Sequence, residues 1–142
     1  NSKGKIQSRM IKEKIIESEI PIGYVISSPS CRARQTAILA FGKHDELNEV
    51  FFHKNIFNEI YNNWQANLKE AFLNAPLIKG KNTIITAHGS TVGKNLFKNS
   101  NNIKKLRLKQ GGFFIISKNK GELILEHQFT KFENFSKVFS IR

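Results

Sequence analysis

A three-layer α/β/α sandwich with a mostly parallel sheet is the fold class that this sequence predicts, on three observations. Two short apolar runs of strand length, "YVIS" at Tyr24–Ser27 and "TIITA" at Thr83–Ala87, are each followed at once by turn residues and then by a helix-like stretch. The segments around them repeat apolar residues at helical spacing. The 142 residues suit one domain, and no apolar run approaches the ~18 residues of a membrane span. A single domain, 1–142, is therefore expected, with no linker or internal repeat to divide it.

The elements follow in order. Residues 5–17 place Ile6, Met10, Ile11, Lys14 and Ile15 near helical spacing with basic residues between them, which predicts an amphipathic helix. "IPIGYVIS" leads into the first strand. "SSPS" then supplies a turn, and Ser30 is placed to cap a helix over Cys31–Ala40 that Gly42 ends, since serine accepts from the free N–H groups of a first turn and glycine tolerates the left-handed conformation beyond a last one. Asn58–Leu73 carries Ile60, Tyr61, Trp64, Leu68, Ala71 and Phe72 on one broad helical face. Pro76 and Gly80 punctuate the connection to the second strand, and "HGST" leads to a short helix from about Val92 to Phe97. "KNSNNIKKLRLKQGG", 98–112, reads as a polar basic loop. "GGFFIIS" and "ELILEHQF" make a terminal hairpin around "KNKGE". Helices alternating with buried strands imply a mostly parallel sheet covered on both faces.

The net charge of +12 points toward anionic partners: nucleic acid, an anionic membrane surface or a phosphorylated ligand. The basic residues are 18 Lys to 5 Arg in a chain also rich in Asn, Ile and Phe, the composition of AT-rich genes, which accounts for part of that charge without any partner. "KNSNNIKKLRLK" and "KGKIQSRMIKEK" have no aromatic stacking platform beside them, so nucleic acid is the less favoured partner. The lone cysteine, Cys31, excludes a disulfide framework or a cysteine-rich zinc site within these residues and reads as a buried or incidental thiol. No cofactor and no metal is expected. The chain opens on Asn1 in a basic, helix-like segment with no leader pattern, so an upstream segment is expected, and the compartment, cytoplasmic or periplasmic, stays open.

The chemistry concentrates in two strand ends. In open parallel sheets ligands bind beyond the carboxyl ends of the strands. The first strand ends in Ser27-Ser28-Pro29 and delivers Arg32 at a helix start; the second ends in Ala87 and delivers His88-Gly89-Ser90-Thr91, also at a helix start. If the strands are neighbours, a guanidinium fork, an imidazole and free helix N–H groups face one pocket, a set suited to a tetrahedral oxyanion such as phosphate. Taken singly, a histidine after a strand is more often a hydrogen-bonded structural residue. Arg34, turned about 100° per helical residue away from Arg32, reads as solvated or helix-packing.

The text around these residues resembles the histidine phosphatase superfamily, the phosphoglycerate mutase-like fold. "SSPSCRARQTA" is similar to its Ser-Ser-Pro-x-x-Arg-Ala-x-x-Thr-Ala stretch, "IITAHGST" to its second histidine stretch, and Gly4 with Gln7 in "NSKGKIQS" to its Gly-x-x-Gln segment. The resemblance runs in order over most of the chain. It implies that Arg32 and His88 hold a transferring phosphoryl group, that Gly89 is the small residue following the histidine, and that hydrolysis of a phosphorylated small molecule or phosphoprotein passes through a phosphohistidine without a metal. Glu49, in a Leu-Asn-Glu context, resembles the proton donor of the mutase branch, and a carboxylic acid there can protonate a leaving alkoxide; Asp45, Glu46 and Glu49 read equally as loop carboxylates. The family's nucleophile sits in an Arg-His-Gly or Arg-His-Ala motif upstream of the Gly-x-x-Gln helix, and here none of His44, His53, His88 and His127 follows an arginine. The nucleophilic histidine is therefore expected in an N-terminal segment outside these residues, the domain being N-terminally truncated. A non-catalytic phosphate-binding or interaction domain of the same fold is the alternative. His44 and His53 read as surface residues and His127 as structural.

Overall fold

The computed structural model describes residues 2–52, 58–97 and 108–131. The chain is a mixed α/β protein: α1 Ser2–Glu17, β1 Ile22–Ser27, α2 Cys31–Phe41, β2 Glu46–Leu47, a 3-10 helix Glu49–Phe51, α3 Asn58–Leu73, β3 Asn82–Thr86, α4 Gly89–Leu96, β4 Phe113–Asn119 and β5 Glu122–Phe129. Three strands form a parallel sheet in the order β2-β1-β3. β1 takes its centre because its residues tolerate burial on both faces: Val25, Ile26 and Ser27 are almost fully enclosed. Val25, Ile26 and Ser27 pair with Ile84, Ile85 and Thr86 of β3.

α2 has the two ends that its sequence predicts. Ser30 keeps an extended backbone and its side chain accepts from Ala33 N at 3.3 Å, while Gly42, at φ 79°, donates its N–H to Ile38 O at 2.9 Å. The helix turns Ala33, Ala37 and Ala40, spaced four and three residues apart, into the interior, and it lies against α1, β1 and β3. A face built of alanine permits close approach, which is why the residue that α1 buries is Ser8.

α1 consequently departs from its expected face. Ile6 and Met10 are exposed, and Ile11, Lys14 and Ile15 are only half-buried, because the partner surface is set by the small side chains of α2 and not by the apolar spacing of α1 itself. The helix also begins at Ser2, earlier than its periodicity indicates. Gln7 Nε2 donates to Gln110 O at 2.9 Å, in the turn that enters β4. Gly111 there has φ 83°, and any side chain on it would run into the Gln7 amide, so this turn needs glycine on two counts.

On one side of the sheet, Ile26 packs with Phe51, Leu68 and Ala75, and Trp64, Phe72 and Ile85 adjoin this cluster. The broad face read into 58–73 is thus the core face of α3 at Trp64, Leu68, Ala71 and Phe72. Trp64 Nε1 donates to Val50 O at 2.6 Å, and the rings of Phe51 and Phe72 meet edge to face at 5.5 Å.

β2 was not legible as a strand. Glu46 and Leu47 are two residues of mixed polarity with no period of their own, and they pair with Ile26 and Ser27 because the preceding loop returns along β1. The terminal hairpin forms as its sequence predicts, antiparallel and with Lys120 and Gly121 both at positive φ in the turn. It is a separate two-stranded sheet, so the mostly parallel character belongs to β1, β2 and β3. Lys118 Nζ ties it down by donating to Leu73 O and Ala75 O at 2.7 and 2.9 Å, carbonyls that the end of α3 leaves free. His53 and most of the basic loop, residues 98–107, lie outside the described residues.

Candidate functional site

Because β1, β2 and β3 run parallel, their carboxyl ends share one edge of the sheet, and each end delivers a residue singled out in the sequence. β1 runs through Ser28 and Pro29 into α2, whose second residue is Arg32. β2 runs into the 3-10 helix that begins with Glu49, capped by Asn48, whose side chain accepts from Val50 N at 3.0 Å. β3 runs through Ala87 to His88, the N-cap of α4, and Gly89 opens that helix.

The central chain staples the three ends together. Asn48 N donates to Ser27 O at 3.0 Å on one side, and Ser28 N donates to Thr86 O at 2.9 Å on the other. Ser27 and Ser28 are fully buried, and their hydroxyls are used locally: Ser27 Oγ donates to Ser28 O at 2.7 Å, and Ser28 Oγ accepts from Ser30 N at 3.4 Å. The first two serines of "SSPS" are thus structural, holding the turn in register with both neighbours. The result is that the carboxyl ends of β1 and β3, which lead into α2 and α4, meet at one edge of the sheet.

The side chains there differ in exposure. Arg32 is exposed, and its guanidinium makes no hydrogen bond or ion pair with the described residues, so it is available to an anion from solvent. Arg34 is also exposed and its Nη2 lies 3.5 Å from the sulfur of Cys31. Cys31 is exposed, which removes the buried alternative of the two read for it, a buried or an incidental thiol: it is the first residue of α2, ahead of the alanines that the helix packs inward. Glu49 is exposed at the head of its short helix. His88 is half-buried, with Nε2 shielded from solvent and its ring edge-on to Phe52 at 6.4 Å.

Other candidates lie elsewhere. His44 is half-buried in the loop ahead of β2, and His127 is exposed on β5. Asp45 proves to be a structural carboxylate: Oδ2 accepts from Val25 N at 2.8 Å and lies 2.9 Å from Lys43 Nζ. The Lys43 ammonium, and after it the Val25 N–H, hold its carboxyl below the ordinary value of 3.8, against a smaller opposing effect of desolvation.

Sequence reasoning passed over Asn48, Phe52 and Thr86. Asn48 directly precedes Glu49 and carried a cap signal, whereas Thr86 was hidden as one β-branched residue in an apolar strand. Among the described residues no group of three or more His, Cys, Asp or Glu side chains is placed to hold a metal ion, and no helix is long and apolar enough to cross a membrane. No protein-family model and no curated protein matches the chain.

Proposed function

We propose that this chain is a phosphomonoester hydrolase domain of the histidine phosphatase type, with a phosphoglycerate mutase-like three-layer architecture, in which Arg32 and His88 hold the phosphoryl group of a phosphorylated small molecule or phosphoprotein. The observation that supports the reading is the bond from Ser28 N to Thr86 O, which joins the strand end leading to Arg32 to the strand end leading to His88. Arg32 supplies a fixed charge and a bidentate fork for the phosphoryl oxygens, and the peptide N–H groups opening the two helices add donors to the same oxygens.

Chemistry needs a nucleophile that these residues do not offer, since no histidine here follows an arginine. In the proposed enzyme an imidazole from a segment outside this chain attacks phosphorus, the ester P–O bond breaks, and Glu49 gives its proton to the leaving oxygen. Water then cleaves the P–N bond and frees inorganic phosphate. Within the chain as it stands, binding and not turnover is the expected activity.

The alternative is a non-catalytic phosphate-binding domain of the same fold, favoured by the burial of His88 Nε2 in the unliganded protein. One set of measurements separates the readings. Orthovanadate or phosphate binds the wild-type chain, and Arg32→Ala weakens it by roughly tenfold to a hundredfold, the loss of a hydrogen-bonded ionic contact. Adding an N-terminal segment that carries Arg-His-Gly restores hydrolysis of a generic phosphomonoester in the first reading and leaves binding alone in the second. If wild-type and Arg32→Ala proteins, each with the added segment, bind vanadate equally, the phosphoryl site is refuted.

A further inference from the structure

Thr86 closes β3 with only 8% of its surface exposed, and its Oγ1 is buried without a hydrogen-bond partner among the described residues. A hydroxyl taken out of water without a partner forfeits a bond that it made in the unfolded chain, so such groups are few in folded proteins. Three other hydroxyls on or next to β1 and β3 have partners. Ser27 and Ser28 bond within their own turn, and Thr83, on the same strand, donates to Pro76 O. Valine has the shape of threonine, favours strands equally and leaves no polar atom unsatisfied, so packing gives no reason for threonine at this position.

Its location gives one. Thr86 pairs in register with Ser27, its carbonyl accepts from Ser28 N, and it stands two residues before His88, whose backbone is still extended at φ −104° and ψ 106°. Alternate residues of an extended chain share a face, so the Thr86 hydroxyl is directed to the side of the sheet from which the His88 ring emerges. It lies at the edge where β1 leads into α2 and β3 into α4.

We propose that Thr86 is a further phosphoryl-binding residue, donating its Oγ1–H to an anionic oxygen of the group held by Arg32 and His88. The proposal rests on the phosphoryl-site reading above. The phosphoryl oxygen then satisfies a donor that the described residues leave unsatisfied, a stability cost of the kind that binding sites sustain for function. No covalent step is involved.

Two substitutions test it on the intact chain, with orthovanadate affinity and melting temperature both measured. Thr86→Val deletes the donor and keeps the shape: the melting temperature holds or rises while the vanadate Kd increases at least about tenfold, the worth of one hydrogen bond to a charged oxygen. Thr86→Ser keeps the donor and removes a methyl: the melting temperature falls while the Kd stays within about threefold. A purely structural threonine would move both quantities together in each variant. If Thr86→Val binds vanadate like the wild type while Arg32→Ala does not, or if it lowers the melting temperature, the assignment of Thr86 is overturned and the phosphoryl site stands. If Arg32→Ala also binds like the wild type, the underlying reading fails instead.

Discussion

Asp45 completes at one residue what the backbone of β2 is too short to do. Its N–H donates to Val25 O at 2.7 Å and its carboxylate accepts from Val25 N at 2.8 Å, so both peptide groups of a central strand residue are met by one neighbour. Lys43 Nζ also donates to Gly23 O at 3.2 Å, so the ion pair is anchored to the same strand. Because the folded carboxyl titrates below its ordinary value of 3.8, the stabilisation belongs to the ionised form. It is fully present above that value and is lost as the pH falls through the lower folded value. Asp45→Asn keeps an acceptor for Val25 and removes the charge. Its melting temperature is therefore below that of the wild type near neutral pH, and the two curves converge in acid. Thermal melts over a series of acidic buffers check this; a gap that persists below the folded value would mean that the charge is not the cause.

At the scale of elements, the core is fixed by α3, and within it by Leu68, which has no exposed surface and packs with Ile26, Phe51 and Ala75. Leu68→Ala leaves a cavity that the sheet cannot close and costs about 2–5 kcal/mol, read as a lower midpoint in urea with an unchanged slope. That helix was legible because its apolar period is long and its partner is a whole sheet face. α2, β1, β3 and the hairpin were legible for a different reason: Ser30, Gly42 and Gly121 carry turn chemistry that acts within a few residues. β2 and the packed face of α1 were not legible, since both are decided by partners distant in sequence, Ile26 and Ser27 for one and the alanines of α2 for the other. The site divides in the same way. Arg32 and His88 announce themselves as polar residues where an apolar strand ends, but Thr86 gains its meaning only from its register with Ser27 and from a hydrogen bond that it does not make.

For the whole molecule the open physical question is what a net charge of +12 does. Among the described residues exposed cations include Lys3, Lys5, Arg9 and Lys12 on α1, Lys69 on α3, Lys79 and Lys81 before β3, and Lys120 in the hairpin turn. Charge spread over several elements attracts polyanions at long range, and long-range attraction is what salt screens over a Debye length of about 8 Å at physiological ionic strength. Arg32 stands apart from that set, because it lies at the start of α2, beyond the carboxyl end of the central strand. Two binding curves should therefore separate. Retention of a single-stranded oligonucleotide seen in dilute buffer falls steeply, by orders of magnitude, between about 50 and 200 mM salt, and Arg32→Ala barely alters it. Vanadate binding declines far less over the same range and is weakened by Arg32→Ala. Oligonucleotide binding that survived physiological salt and disappeared on reversing the charge of Lys3, Lys5 and Arg9 would put nucleic acid ahead of a phosphomonoester as the natural partner. The oligonucleotide salt titration, run beside the vanadate one on the same protein, decides between a diffuse cationic surface and a built anion site.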